Sequence, residues 1–190
     1  MGCHKIWELI KEFLSTKSLL AINSQIKKDL SPLFIKEAEL IWTENKPFSI
    51  KFKDFYFSNS GGEKETEHVF IKGNNLINRW KNLKDGTYFA IGELGFGSGL
   101  NFLTTWKAWS KIDYHNKELH FYSIENNPLK KEDAKRILSE FEDLKPFVNE
   151  FLNLYPINCK GVQRIYFREH NVYLTVLFRD IDESISTLIS

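Results

Sequence analysis

The sequence predicts an α/β fold of the Rossmann-like type, and three observations carry that expectation. An apolar stretch, Tyr88 to Ile91, runs into Glu93-Leu94-Gly95-Phe96-Gly97-Ser98-Gly99-Leu100-Asn101. Leu100, Leu103, Trp106 and Trp109 then follow at helical spacing, so the order is strand, glycine loop, helix. A second apolar strand, Leu119 to Ile124, closes on an acid, Glu125.

The remaining elements fall around that centre. Residues 4 to 30 carry Ile6, Leu9, Ile10, Phe13, Leu14, Leu19, Leu20, Ile22 and Ile26 among lysines, the pattern of one or two amphipathic helices ending before Ser31-Pro32. Residues 38 to 57 alternate around Asn45-Lys46-Pro47 and predict a β-hairpin or paired short strands. A polar loop, Ser58 to Glu67, precedes a helix over Asn74 to Leu83, and Lys84-Asp85-Gly86 turns into the glycine-loop strand. Beyond Glu125, a helical region runs from Asn127 to Glu150 with Pro146 interrupting it. Gln163 to Phe167 and Val172 to Phe178 flank Arg168-Glu169-His170-Asn171 as a second hairpin, and its outgoing arm ends at Asp180. The last ten residues have the pattern of another helix beginning.

The loop's chemistry narrows its ligand. Glycines let the backbone turn tightly and approach a ligand closely, because no Cβ intervenes. An acid leads the run and no Lys-Ser/Thr closes it, so it is not a phosphate-cradling P-loop. The spacing is G-x-G-x-G rather than the G-x-G-x-x-G of dinucleotide binders. That points to S-adenosylmethionine, whose ammonium, sulfonium and ribose all suit carboxylates. Three acids, Glu93, Glu125 and Asp180, are expected at the C-terminal ends of three strands, the edge where open α/β sheets bind ligands. Glu125 would accept both ribose hydroxyls, Asp180 an adenine amino group, and Glu93 the methionine ammonium, directly or through water. An NAD-type Rossmann oxidoreductase also places an acid after its second strand, but the glycine spacing argues against it.

Composition excludes other classes. The chain has 190 residues, 42% apolar and 27% charged, which predicts a globular domain. A net charge of +1 neither demands nor excludes a nucleic-acid partner, because local patches matter more than totals. Lys72, Arg79, Lys81 and Lys84 are near enough to form a small basic face beside the loop, although solvated lysines are the plainer expectation. No stretch approaches the run of about 18 apolar residues that spans a membrane. The start, Met1-Gly2-Cys3-His4-Lys5-Ile6, lacks the Ser or Thr of a myristoylation site. Cys3 and Cys159 share no motif, so a reducing, cytoplasmic setting is expected. The five histidines show no metal-ligand spacing, and His68 and His120 are expected as packed core residues. Trp106 and Trp109 are expected in the core rather than as a base-stacking platform.

The ordered segments resemble one family. Ala38-Glu39-Leu40-Ile41-Trp42, Asp54-Phe55-Tyr56-Phe57-Ser58-Asn59, and Glu65-Thr66-Glu67-His68-Val69-Phe70-Ile71-Lys72-Gly73-Asn74 come first. Gly92 to Leu103, His120-Phe121 to Glu125 with Pro128-Leu129, and Phe178-Arg179-Asp180-Ile181 follow. Together they resemble the methyltransferase domain of the bacterial bifunctional tRNA 5-methylaminomethyl-2-thiouridine biosynthesis proteins. The resemblance covers residues 36 to 190; residues 1 to 35 form an N-terminal helical extension without a counterpart. It implies a class I S-adenosylmethionine-dependent methyltransferase fold, and tRNA as partner. The implied reaction methylates the aminomethyl group on the wobble uridine. The family's other half is a flavin-dependent oxidoreductase. Glu93, Gly95, Phe96, Gly97, Gly99, Glu125 and Asp180 would line the cofactor site. Arg179 stands where the family tends to have glycine.

The family also has a fourth strand bearing a Trp-Phe-Leu-Asp-Gly-Phe-like segment that this sequence does not show. The expectation is therefore an incomplete portion, inactive alone, with no residue assigned as catalytic. Pairing with a C-terminal remainder or an oxidoreductase domain would complete it, and the Tyr88–Ile91 strand would otherwise be an unpaired edge. The alternative is a non-catalytic remnant that binds an adenosyl ligand or a partner protein.

Overall fold

The computed structural model describes residues 33–43, 46–56 and 66–182. The helices expected over residues 4 to 30, the loop between the hairpin arms at residues 44–45, most of the Ser58–Glu67 loop and the last eight residues lie outside them.

A small antiparallel sheet opens the unit formed by Ile35–Ser190. Strands β1 (Leu40–Thr43), β2 (Lys46–Ser49) and β3 (Asp54–Phe55) follow in spatial order, with Thr43 opposite Lys46 and Phe48 opposite Phe55. Then comes a π-helical turn, Glu67–Lys72, that the sequence does not announce. Gly73 makes it possible: a Cβ there would stand 2.3 Å from the Val69 carbonyl oxygen. Asn75, left-handed at φ 51°, ends that turn and starts α1 (Leu76–Lys81), shorter than the periodicity suggests.

The main sheet has the order β4-β5-β7-β6, formed by β4 (Thr87–Leu94), β5 (Lys117–Glu125), β6 (Gly161–Phe167) and β7 (Val172–Phe178). The pairs β4–β5 and β5–β7 are parallel, and β6 returns antiparallel to β7. Helix α2 (Leu100–Trp109) connects β4 to β5; α3 (Lys131–Leu138) and α4 (Lys145–Asn153) lie between β5 and β6. This is the expected Rossmann-like α/β arrangement. Among the described residues β4 pairs only with β5, so it is an edge strand. Pro146 does not interrupt a helix. It sits in the first turn of α4, where its missing N–H costs nothing.

The core lies on one face of this sheet. Phe102 and Trp106 of α2 meet Phe121 and Phe167 at ring distances of 4.3 to 5.7 Å, and all four are fully buried. Trp80 of α1 packs edge-on against Trp109 at 5.4 Å. Trp106 and Trp109 are core residues, as expected. His68 is not: it is exposed on the π-helical turn. His120 points to the sheet's other face, stacked on Tyr88 at 4.9 Å and bonded to Glu118 at 2.8 Å.

Candidate functional site

Strand β4 delivers the glycine loop, and β5 fixes it. The Gly95 N–H donates to the Ile124 carbonyl at 2.8 Å, and the Gly99 N–H returns to the Phe96 carbonyl at 2.9 Å. Gly95, Gly97 and Gly99 adopt φ of 84°, 54° and 82°, the left-handed region that side chains resist. At Gly99 space is also short. A Cβ would meet the Phe96 ring at 3.0 Å and the Phe151 ring at 3.2 Å. Phe96 is 5% exposed and packs against Phe151, so its side chain anchors the loop to the core rather than opening it to a ligand.

The loop borders a cavity of about 520 Å³. Its walls come from Phe52 between β2 and β3, Tyr56 after β3, Thr66 at the head of the π-helical turn, Val69 and Phe70 within it, Asn101 of α2, Glu125 at the end of β5 and Asn127 beyond it. Glu125 joins loop to strand. One carboxylate oxygen accepts the Gly97 N–H at 3.0 Å and the other the Asn127 N–H at 2.5 Å. Each oxygen keeps a further lone pair for a ligand hydroxyl. The Tyr56 hydroxyl is pushed up to about 12 by burial and by the charges of Glu125 and Asp133, so it stays a neutral donor in the cavity wall.

Glu93 stands one layer behind. Its carboxylate accepts from Asn101 Nδ2 at 2.8 Å and from the Ser123 hydroxyl at 2.8 Å. Asn101 Oδ1 in turn accepts the Thr66 hydroxyl at 3.0 Å. A chain Thr66–Asn101–Glu93–Ser123 thus ties the π-helical turn, α2, β4 and β5 together. Burial pushes Glu93 up to about 7 against the two hydrogen bonds that lower it, and the Glu125 charge adds to the rise. Asn101, not Glu93, borders the cavity.

Asp180 lies apart. Strand β7 ends at Phe178, and Asp180 accepts from Asn126 Nδ2 at 2.9 Å and from the Asp182 N–H at 3.1 Å. It neighbours the residue after Glu125 but does not border the cavity. Of the seven residues expected to line the site, the structure brings Gly95, Phe96, Gly97 and Glu125 to the cavity. Gly99 shapes the loop, Glu93 acts through Asn101, and Asp180 sits outside. Tyr56, Thr66, Phe70, Asn101 and Asn127 border the cavity without having been singled out individually. Asn101 had a local signal, a polar residue two past the last glycine in the first helical turn; Thr66 and Phe70 had none.

No group of three His, Cys, Asp or Glu side chains placed to hold a metal occurs among the described residues. None of the described helices is long and apolar enough to cross a membrane. The site's chemistry is that of a carboxylate-edged, aromatic-walled cavity. It suits a ligand with hydroxyl and amino donors. A pyrophosphate fits poorly, because the Gly97 amide it would need already serves Glu125.

No protein-family model matches the chain. Among characterised sequences it is 36% identical over 154 residues to the tRNA 5-methylaminomethyl-2-thiouridine biosynthesis bifunctional protein MnmC of Legionella pneumophila, strain Lens. That match covers 80% of this chain and 23% of the Legionella protein. The MnmC proteins of Leptospira interrogans and Marinobacter nauticus are 42% and 39% identical over 148 and 156 residues, 77% and 80% of this chain. The chain therefore spans only about a quarter of the length of these relatives. Among solved structures, MNMC2 from Aquifex aeolicus superposes with a TM-score of 0.52 at 16% identity, over 96% of this chain and 58% of that one, a likeness of fold.

Proposed function

We propose that this chain, which is MnmC-like over about four fifths of its length, binds S-adenosylmethionine in the glycine-loop cavity. Its place is in methylating the aminomethyl nitrogen of a tRNA wobble uridine. The observation that carries this reading is the bond from the Gly97 amide to Glu125, which puts an acidic strand end and a glycine loop on one cavity. Glu125 would accept the ribose hydroxyls through its free lone pairs. Phe52, Tyr56 and Phe70 supply apolar walls for a purine. Asn101 would present its carbonyl or amide to the methionine end, with Glu93 behind it in the carboxylate form favouring an ammonium. When bound, S-adenosylmethionine supplies an electrophilic methyl group, and the protein's part is to position it toward a neutral amine. Binding and orientation are what the described residues support; none is assigned as a base.

Calorimetric titration with S-adenosylmethionine, S-adenosylhomocysteine and NAD tests the reading. Micromolar binding of the first two, weakened at least about tenfold by Glu125→Ala, is expected for a bidentate carboxylate contact. Binding of NAD alone would refute it in favour of an oxidoreductase-type site. Absence of any binding would favour a remnant without cofactor.

A further inference from the structure

The polar groups on the glycine-loop cavity are of different kinds. Glu125 is a charged acceptor, whereas Asn101 carries a donor and an acceptor on one planar carboxamide. No lysine or arginine lines the cavity among the described residues. A ligand carboxylate there has only neutral N–H and O–H groups to meet.

Both ends of the Asn101 carboxamide are held from behind. Its Nδ2 donates to Glu93 at 2.8 Å, and its Oδ1 accepts the Thr66 hydroxyl at 3.0 Å. An ionised Glu93 can only accept, so the flipped amide would set two oxygens against each other. Glu93 therefore decides which end is nitrogen, and Thr66 holds the plane of the amide. Thr66 is 9% exposed, and its hydroxyl caps no backbone N–H of the turn that it heads. Of Thr66, Val69 and Phe70, the three residues of this segment on the cavity, it alone has a polar side chain. On its far side the same turn walls a second cavity, of about 300 Å³, with an aliphatic floor of Ile71, Ile77 and Ala108 and lysines at its rim; Asn101 does not border it. With one Nδ2 hydrogen and one Oδ1 lone pair engaged, Asn101 keeps one of each for a ligand.

We infer that Thr66 is a positioning residue that, through Asn101, makes the cavity select ligands with a zwitterionic amino-acid end. Asn101 Oδ1 accepts from the ligand ammonium, and the second Nδ2 hydrogen goes to the ligand carboxylate. The inference rests on the adenosyl reading above and extends it from the adenosine to the amino-acid half. A single carboxamide matches an ammonium beside a carboxylate only if its plane and its orientation are both fixed. Thr66 and Glu93 fix them before the ligand arrives, which spares the ordering cost at binding.

Calorimetric titration at pH 8, where Glu93 is ionised, tests this with two ligands. S-adenosylhomocysteine is compared with 5′-methylthioadenosine, which has the same adenosine and thioether but no amino-acid end. The ratio of their dissociation constants is the readout, because damage felt equally by both ligands leaves it unchanged. The wild-type chain is expected to favour S-adenosylhomocysteine by about a hundredfold, about tenfold for each charged contact. N101A should lower that preference about tenfold or more. T66V, of the same shape without the hydroxyl, should lower it about three- to tenfold, and T66S should keep it. In the double variant the ratio should equal that of N101A alone, since Thr66 acts through Asn101. Glu125→Ala should weaken both ligands and leave the ratio as it is. An unchanged ratio in T66V or N101A, additive losses in the double variant, or a T66S as impaired as T66V would each overturn the inference while the adenosyl reading stands. Failure of the wild-type chain to bind either ligand would instead sink the adenosyl reading, and the inference with it.

Discussion

The two faces of the four-stranded sheet are built from the same strands and have opposite characters. On one, Leu119, Phe121, Val172, Leu174 and Phe167 are fully buried under α2 and α4. On the other, alternate residues of the same strands, Tyr88, Val162 and Tyr166, are 61%, 56% and 40% exposed. There the contacts run along the sheet surface: Tyr166 stacks on Tyr173 at 4.4 Å, Arg164 lies over Tyr173 at 4.7 Å, and His120 holds Glu118. A period of two puts successive side chains on opposite faces, so one strand serves both purposes. The site belongs to the buried face. Glu93 and Ser123 are register partners on it, which is why one carboxylate of the cofactor end sits in low dielectric.

That contrast can be broken first by truncation. Phe102→Ala, in the centre of the ring cluster, should cost about 3–5 kcal/mol in urea denaturation. Tyr166→Ala on the other face should cost under about 1 kcal/mol; comparable losses would mean the second face is as much a core as the first. The next effect is at pH. Folded Glu93 titrates at about 7 against an ordinary value of 4.5, so between these the native state holds the extra proton. The stability this provides is full below about 4.5 and lost as pH rises through about 7, at most about 3 kcal/mol. Glu93→Gln should remove that dependence, seen as parallel denaturation midpoints at pH 5 and pH 8. A retained slope would place the titrating group elsewhere.

Gly99→Ala comes third. The left-handed φ of 82° and the Phe96 and Phe151 rings at 3.0 and 3.2 Å oppose a methyl group. A loss of about 1–3 kcal/mol is expected, together with weakened S-adenosylmethionine binding. The smallest effect is Glu118→Gln on the second face. The carboxylate is 46% exposed, so breaking its contact with His120 should move stability by no more than about 0.5 kcal/mol in the same assay.

The parts of this design that were legible in the sequence are the local ones. The glycine spacing, the apolar runs and the acids at their ends specify strand, loop and helix without reference to distant residues. Glu93 was expected at the ligand, but it shares the Ile91 face beneath the helix and stands behind Asn101. Asp180 was misplaced because the strand stops at Phe178, and two residues of irregular chain carry the carboxylate toward Asn126. His68 looked apolar by its neighbours Val69 and Phe70. The π-helical turn, made possible by Gly73 and invisible to a period of 3.6, turns it to solvent. The far wall of the cavity, Thr66 and Phe70, depends on that same turn and had no signal of its own.

The π-helical turn also sets a thermodynamic condition. It is a common wall between the carboxylate-edged cavity and the lysine-ringed one, and Thr66 links it through Asn101 to Glu93. If a ligand in either cavity favours one position of that wall, the factor by which it changes its neighbour's affinity must be the same in both directions. A ligand in the second cavity would then change affinity for a ligand in the first by the same ratio that the first imposes on it. A closed cycle of four binding constants would measure how stiff six residues of helix are.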